Sequence, residues 1–144
     1  MRFIMILMIS TLFASGILPS KHPSSDNLQT DSRELQLQDM IVLSLYSHMK
    51  KELEKAYADV LTTSPNLYPY DVDILDIERV DGFRGFTFQI TLEAAPTVGP
   101  HIVVGKDVFT YQISPPFNVK LTLYQHRDGP NKNAIPWNYS NLLK

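Results

Sequence analysis

The spacing of apolar residues changes once along this chain, between Ser64 and Pro69, and that change restricts the fold more than any other feature. Before it, Leu37, Ile41, Leu45, Met49, Leu53, Ala56 and Val60 recur every three or four residues, while Lys50, Lys51, Glu54, Lys55 and Asp59 fall mainly on the other side. That is the stripe of one amphipathic helix. Asp31-Ser32-Arg33-Glu34 opens it as a capping box, with Asp31 taking a free amide of the first turn and Glu34 reaching back. The helix is expected to run to about Leu61 and to stop before Ser64-Pro65, where proline cannot continue it.

After Pro69 the period is two, and four strands are predicted. The first covers Tyr70 to Val80, but Val72 and Ile74 share one face while Leu75 and Ile77 share the other, a phase slip that marks a bulge or a strand covered on both sides. Asp81-Gly82 signals a hairpin turn, with Gly85 as a bulge beside it. The second strand alternates cleanly, Phe86, Phe88, Ile90, Leu92 and Ala94 against Thr87, Gln89, Thr91 and Glu93. A third runs from about Asp107 to Ser114 and ends at Pro115-Pro116. A fourth, Phe117 to Gln125, is expected to turn Phe117, Val119, Leu121 and Leu123 inward. One long helix followed by four strands with short connections predicts an α+β domain, the helix lying across an antiparallel meander, cystatin-like in outline. It spans residues 31–126. A tail, 127–144, holds the single tryptophan, Trp137, with Tyr139, Leu142 and Leu143, and is expected to pack partly on the sheet edge.

The amino terminus has a different character. Arg2 precedes an apolar run from Phe3 to Phe13, and Ala14-Ser15-Gly16 supplies small residues, the layout of a secretory signal cleaved after Gly16. The run is shorter than the roughly 20 apolar residues of a membrane span. Residues 17–30, with Pro19, Pro23 and His22, have the composition of a flexible linker. An exported chain with no cysteine holds together by core burial alone, without disulfides, and such a composition fits a bacterial source. With 13 Lys and Arg against 15 Asp and Glu, there is no electrostatic basis for binding nucleic acid or an anionic membrane. The expected location is extracellular or at the cell envelope.

No nucleophile elbow, phosphate-cradling loop, zinc-protease motif or cysteine nucleophile occurs. His48 and Glu52 stand one helical turn apart, a metal-pair spacing, but both border the buried stripe and a third ligand is missing. Asp71, Asp73, Asp76, Glu78 and Asp81 do not follow the alternation of a calcium loop, because Leu75 and Asp76 occupy the wrong places. They are read as a solvated strand. No metal and no cofactor are expected.

The connection from Ala95 to Lys106 is longer than the roughly 2–5 residues of an ordinary hairpin, and long loops on rigid sheets commonly bind. In it, "QITLEAA" is followed by "GPHIVVGKDVFTY", so that Glu93, Gly99, Pro100, His101, Gly105, Thr110 and Tyr111 follow a recurring order. This pattern, with "YPYDVDILDIERV" before it, resembles a family of small secreted proteins of unknown function from Gram-positive spore-formers. The resemblance covers roughly Leu35 to Gln125. It implies the fold and export, and it brings no catalytic assignment; the chain departs from it in Ile102-Val103-Val104 and in an insertion from Ala94 to Val98.

The expected function is therefore a secreted, non-catalytic domain that binds a protein, a peptide or an envelope component. The expected site is the 95–106 loop and the adjacent sheet edge, with Gly99, Pro100, His101, Gly105 and Trp137 as candidates. Two alternatives stay open. His101-Ile102-Val103-Val104-Gly105 and Pro136-Trp137 are similar to the two inhibitory loops of cystatins, and His48, Glu52 or His101 would serve a hydrolase as acid-base groups. A helix–sheet cavity lined by those three residues would favour the enzyme, and a filled core the binder.

Overall fold

Helix α1, Arg33–Ala56, begins one residue later than the capping box predicts. Ser32 is the N-cap, and its Oγ accepts from the Leu35 amide at 3.1 Å. The computed structural model describes residues 31–131 and 135–144; the predicted leader 1–16 and linker 17–30 lie outside the described residues. Val42, Leu45, Met49 and Leu53 form the buried face of α1, whereas Leu37 and Met40 stay more than half exposed because they lie on the side of the helix turned away from that face. The helix ends at Ala56, short of Leu61. Tyr57 is the reason: it leaves the helical path, turns its ring into the core, and takes the buried place expected of Ala56, which faces solvent.

A short 3-10 turn at Pro69–Asp71 leads into the sheet, whose order is β1 (Val72–Arg79), β2 (Phe88–Ala94), β5 (Lys106–Ser114) and β6 (Asn118–Asp128). All neighbours are antiparallel. The predicted phase slip in the first strand is a bulge between Ile74 and Asp76. It leaves Leu75 out of register and puts Ile74 opposite Leu92 and Ile77 opposite Ile90, so both isoleucines face the helix.

A second bulge, which alternation in the sequence does not show, separates Thr110 from Tyr111 in the β5–β6 pairing. Thr110 pairs with Leu123 and Tyr111 with Leu121, and the Thr122 hydroxyl donates to the Thr110 carbonyl at 2.9 Å. Leu123 is consequently turned outward, 52 % exposed, where the uninterrupted pattern had it inward. Tyr124 and His126 take the inward phase instead, opposite Phe109 and Asp107. Phe117 is also exposed, in the turn after Pro116.

The 95–106 connection is a small hairpin in its own right. Thr97–Val98 (β3) pairs with Ile102–Val103 (β4), and Thr97 also bridges to Asn66. At the carboxyl end, Leu143 bridges to Leu61, and Ile135 is buried. The end where β2 finishes and β5 begins therefore carries both the hairpin and the tail. The opposite end carries the β1–β2 and β5–β6 turns and the first half of α1.

Candidate functional site

Three of the five predicted residues form the tip of the β3–β4 hairpin. Gly99 (φ 52) and His101 (φ 62) both adopt the left-handed conformation around Pro100, and the His101 amide donates to the Gly99 carbonyl at 3.0 Å. Thr97, Val98 and Val104 beneath are buried, so the tip and Val103 are what the hairpin displays. The His101 ring stacks on Tyr68 at 4.7 Å, and Tyr68 stacks on Tyr70 at 5.3 Å. A three-ring ladder results, ending in a Tyr70 that is 72 % exposed.

Trp137 opens the 3-10 turn Trp137–Leu142, which lays Tyr139 and Leu142 against Gly99. The indole itself is 88 % exposed instead of tucked against the sheet edge. Gly105 has a different task. A Cβ there would stand 1.7 Å from the Tyr57 hydroxyl, so glycine is what lets Tyr57 pass. Of the five residues His101 to Gly105, only His101 and Val103 face solvent.

That passage leads to a buried carboxylate which sequence reasoning missed. Asp107 has no exposed surface; its Oδ2 accepts from the Tyr57 hydroxyl at 2.8 Å, and its Oδ1 accepts from the Tyr124 hydroxyl at 2.6 Å. His126 Nδ1 also faces Oδ1, at 2.8 Å, while Nε2 faces the Gly129 carbonyl at 2.9 Å. Both ring nitrogens meet acceptors, and only the imidazolium donates to both at once. The hydrogen bond to Asp107 and then the Gly129 carbonyl hold the His126 pKa above its ordinary value. Burial first, and then Asp107, push the Tyr57 phenol far up. Every polar hydrogen here is committed within the protein. The cluster acts as a clasp between the end of α1, β5, β6 and the start of the tail. The sequence carries one trace of it, Tyr124 and His126 at period two, but assigning them to the inner face requires the bulge.

Of the acid-base candidates, His48 and Glu52 stay one helical turn apart on α1, and His101 is not brought to them. Glu52 pairs with Lys55 at 2.8 Å, His48 stands edge-on to Tyr111 at 6.2 Å, and His101 belongs to the ladder. At the start of β1, Asp71 of the 3-10 turn and Asp73 of the strand border a recess of about 210 Å³ shared with Glu93, which Lys106 (2.7 Å) and Arg127 (3.3 Å) neutralise. Among the described residues no group of three His, Cys, Asp or Glu side chains is placed to hold a metal ion.

A wider recess than that lies at the other end. Under the first half of α1, a groove of about 450 Å³ opens between Ile41 and Ser44 above and Ile77, Phe88 and Ile113 below, closed by the Pro115–Phe117 turn. Its polar lining is limited to serines, and the Ser44 hydroxyl already donates to the Ile41 carbonyl at 2.7 Å. Phe86 and Phe117 stand exposed at its border, and Phe83, 96 % exposed, tops the β1–β2 loop. The sequence shows the components of this groove as ordinary strand and helix residues; the space between them depends on how the helix, the strand ends and the Pro115–Phe117 turn are placed in three dimensions.

Residues 37–128 match a family model described as Protein of unknown function (DUF3888). No curated protein and no solved structure matches. The matched span contains the groove, the hairpin and all four side chains of the Asp107 clasp, and it ends before Trp137.

Proposed function

The chain belongs to the DUF3888 family, and on that footing we propose that it is an exported, non-catalytic binding domain whose groove between α1 and the far end of the sheet takes an apolar ligand. The groove carries the reading. Its volume falls within the roughly 300–1,000 Å³ of ligand pockets, which are characteristically apolar with few polar groups. The exposed phenylalanines at its border extend the apolar surface beyond the scattered residues of an ordinary exterior. The non-catalytic part draws support from the pairing of Glu52 with Lys55, from the place of His101 in the aromatic ladder and from the full commitment of His126. Export draws on the Phe3 to Phe13 run and the small residues after it; a mature chain from culture medium is expected to begin near Ile17, and one that keeps Met1 would refute it.

A ligand held only by the folded state raises the melting temperature by mass action. Decan-1-ol should do so for the wild type and fail for Ser44→Trp, whose indole fills the groove from the exposed face of α1. An equal shift in both proteins, or none in either, removes the groove from the function.

The His101–Tyr68–Tyr70 ladder favours a second reading, in which the hairpin tip binds a protein or peptide partner, because rigid aromatic rings make efficient contact surfaces. Capture of envelope and secreted proteins on the wild type and on His101→Ala tests it. Equal partner sets from two equally stable proteins would exclude the tip.

A further inference from the structure

The structure also indicates which apolar ligand the groove suits. We infer that it is a single unbranched hydrocarbon chain ending in a carboxylate, with the chain in the groove and the carboxylate on Arg79; this rests on the groove reading above.

The argument begins with register. Arg79 stands opposite Phe88 and Ile77 opposite Ile90, so Arg79 is the last helix-facing residue of β1 and lies at the mouth of the groove. It is not itself part of the groove lining; its guanidinium covers, at 4.6 Å, the ring of Phe88, which is, and one of its N–H groups donates to the Gly85 carbonyl. The acidic side chains of the same strand take the opposite face: Asp76 stands opposite Thr91, and Glu78 opposite Gln89, whose amide it accepts at 3.1 Å. Among the described residues, the ion pairs engage Glu52, Glu93 and Asp107 and none reaches Arg79. Arg84 lies in the adjoining loop, with Asp81 as the single acidic residue between Val80 and Thr87.

A guanidinium has five donors in a planar fork, and its preferred partner is a carboxylate held by two parallel bonds. Here one donor is spent on Gly85. The groove behind it offers almost nothing to hydrogen-bond, since its only polar lining is Ser44 and Ser114. A polar body would lose its hydration there without replacement, so the occupant must be hydrocarbon up to the point where it meets Arg79. The volume lies in the lower half of the range for ligand sites, which suits one chain better than two.

The test compares decanoate, decan-1-ol and decyltrimethylammonium below their micellar concentrations, by calorimetry at pH 8, on the wild type, Arg79→Gln, Arg79→Lys and Ser44→Trp. Arg79 is exposed, so its variants should melt with the wild type. The expected order in the wild type is decanoate at least about tenfold tighter than the alcohol, with the cation weakest. Arg79→Gln brings decanoate down to the level of the alcohol and leaves the alcohol unchanged, Arg79→Lys recovers part of the preference, and Ser44→Trp loses both. Equal binding of decanoate and decanol would overturn the carboxylate inference and leave the groove reading standing, while binding of neither would overturn both. A decanoate preference that survives Arg79→Gln would also refute it. So would wild-type protein that dimerises through this face, or that binds anionic lipid vesicles while ignoring monomeric decanoate, because the occupant would then be a second copy or a bilayer.

Discussion

Asp107 is a carboxylate with no solvent contact, and burial of a charge is tolerated only when partners replace the lost water. Two phenols and an imidazole do so, and Gly105 makes one of the phenols possible. The pH dependence follows from His126. Its pKa is raised in the folded state by Asp107 and the Gly129 carbonyl, so its contribution to stability is complete below the unfolded value of 6.5. That contribution is lost as the pH rises through the folded value. The melting temperature of the wild type is therefore expected to fall between pH 6 and pH 9, and that of His126→Ala to start lower and change less over the same interval. Parallel profiles for the two proteins would show that the clasp is not held by the imidazolium.

At the scale of the elements, what the sequence makes legible is whatever follows a regular period. The helix stripe and the alternation in β2 depend on local spacing alone, and both the α+β architecture and the slip at Ile74 follow from them. The bulge at Thr110/Tyr111 cannot be read in the same way, because Leu121 and Leu123 continue a perfect alternation while the partner strand decides which of them turns inward. The clasp is hidden for the same reason. His126 and Tyr124 reach Asp107 only through that bulge, and Tyr57 only by leaving the helix early. The hairpin loop was visible as a long connection, yet its burial was not, since Thr97 and Val104 are covered by parts of the chain distant in sequence. The bulge has a direct thermodynamic consequence. Leu123→Thr should change stability by no more than about 0.5 kcal/mol, as for other surface substitutions, whereas Leu121→Thr, at a half-buried position packed on the core, should cost about 1 kcal/mol or more for the apolar contact it loses. Equal losses in chemical denaturation would mean that the alternation runs on without a bulge.

The whole molecule divides its labour between the two ends of one sheet. At one end the chain crosses itself: the Asp107 clasp, the hairpin and the tail close the core there. At the other, among the described residues, the surface between the first half of α1 and the strand ends is left apolar and open. A protein held together without cysteine would gain from closing that end as well, so the open groove is a departure from best packing of the kind expected where a ligand completes the core. The most direct measurement is a titration of isoleucine-methyl-labelled protein with decan-1-ol, followed by its carbon–proton correlation spectrum. The methyls of Ile41, Ile77, Ile90 and Ile113, which line the groove, are expected to shift together along one binding curve. Those of Ile102 in the hairpin and Ile135 under the tail should stay in place. Shifts confined to Ile102 and Ile135, or a spectrum that does not respond at all, would contradict the account.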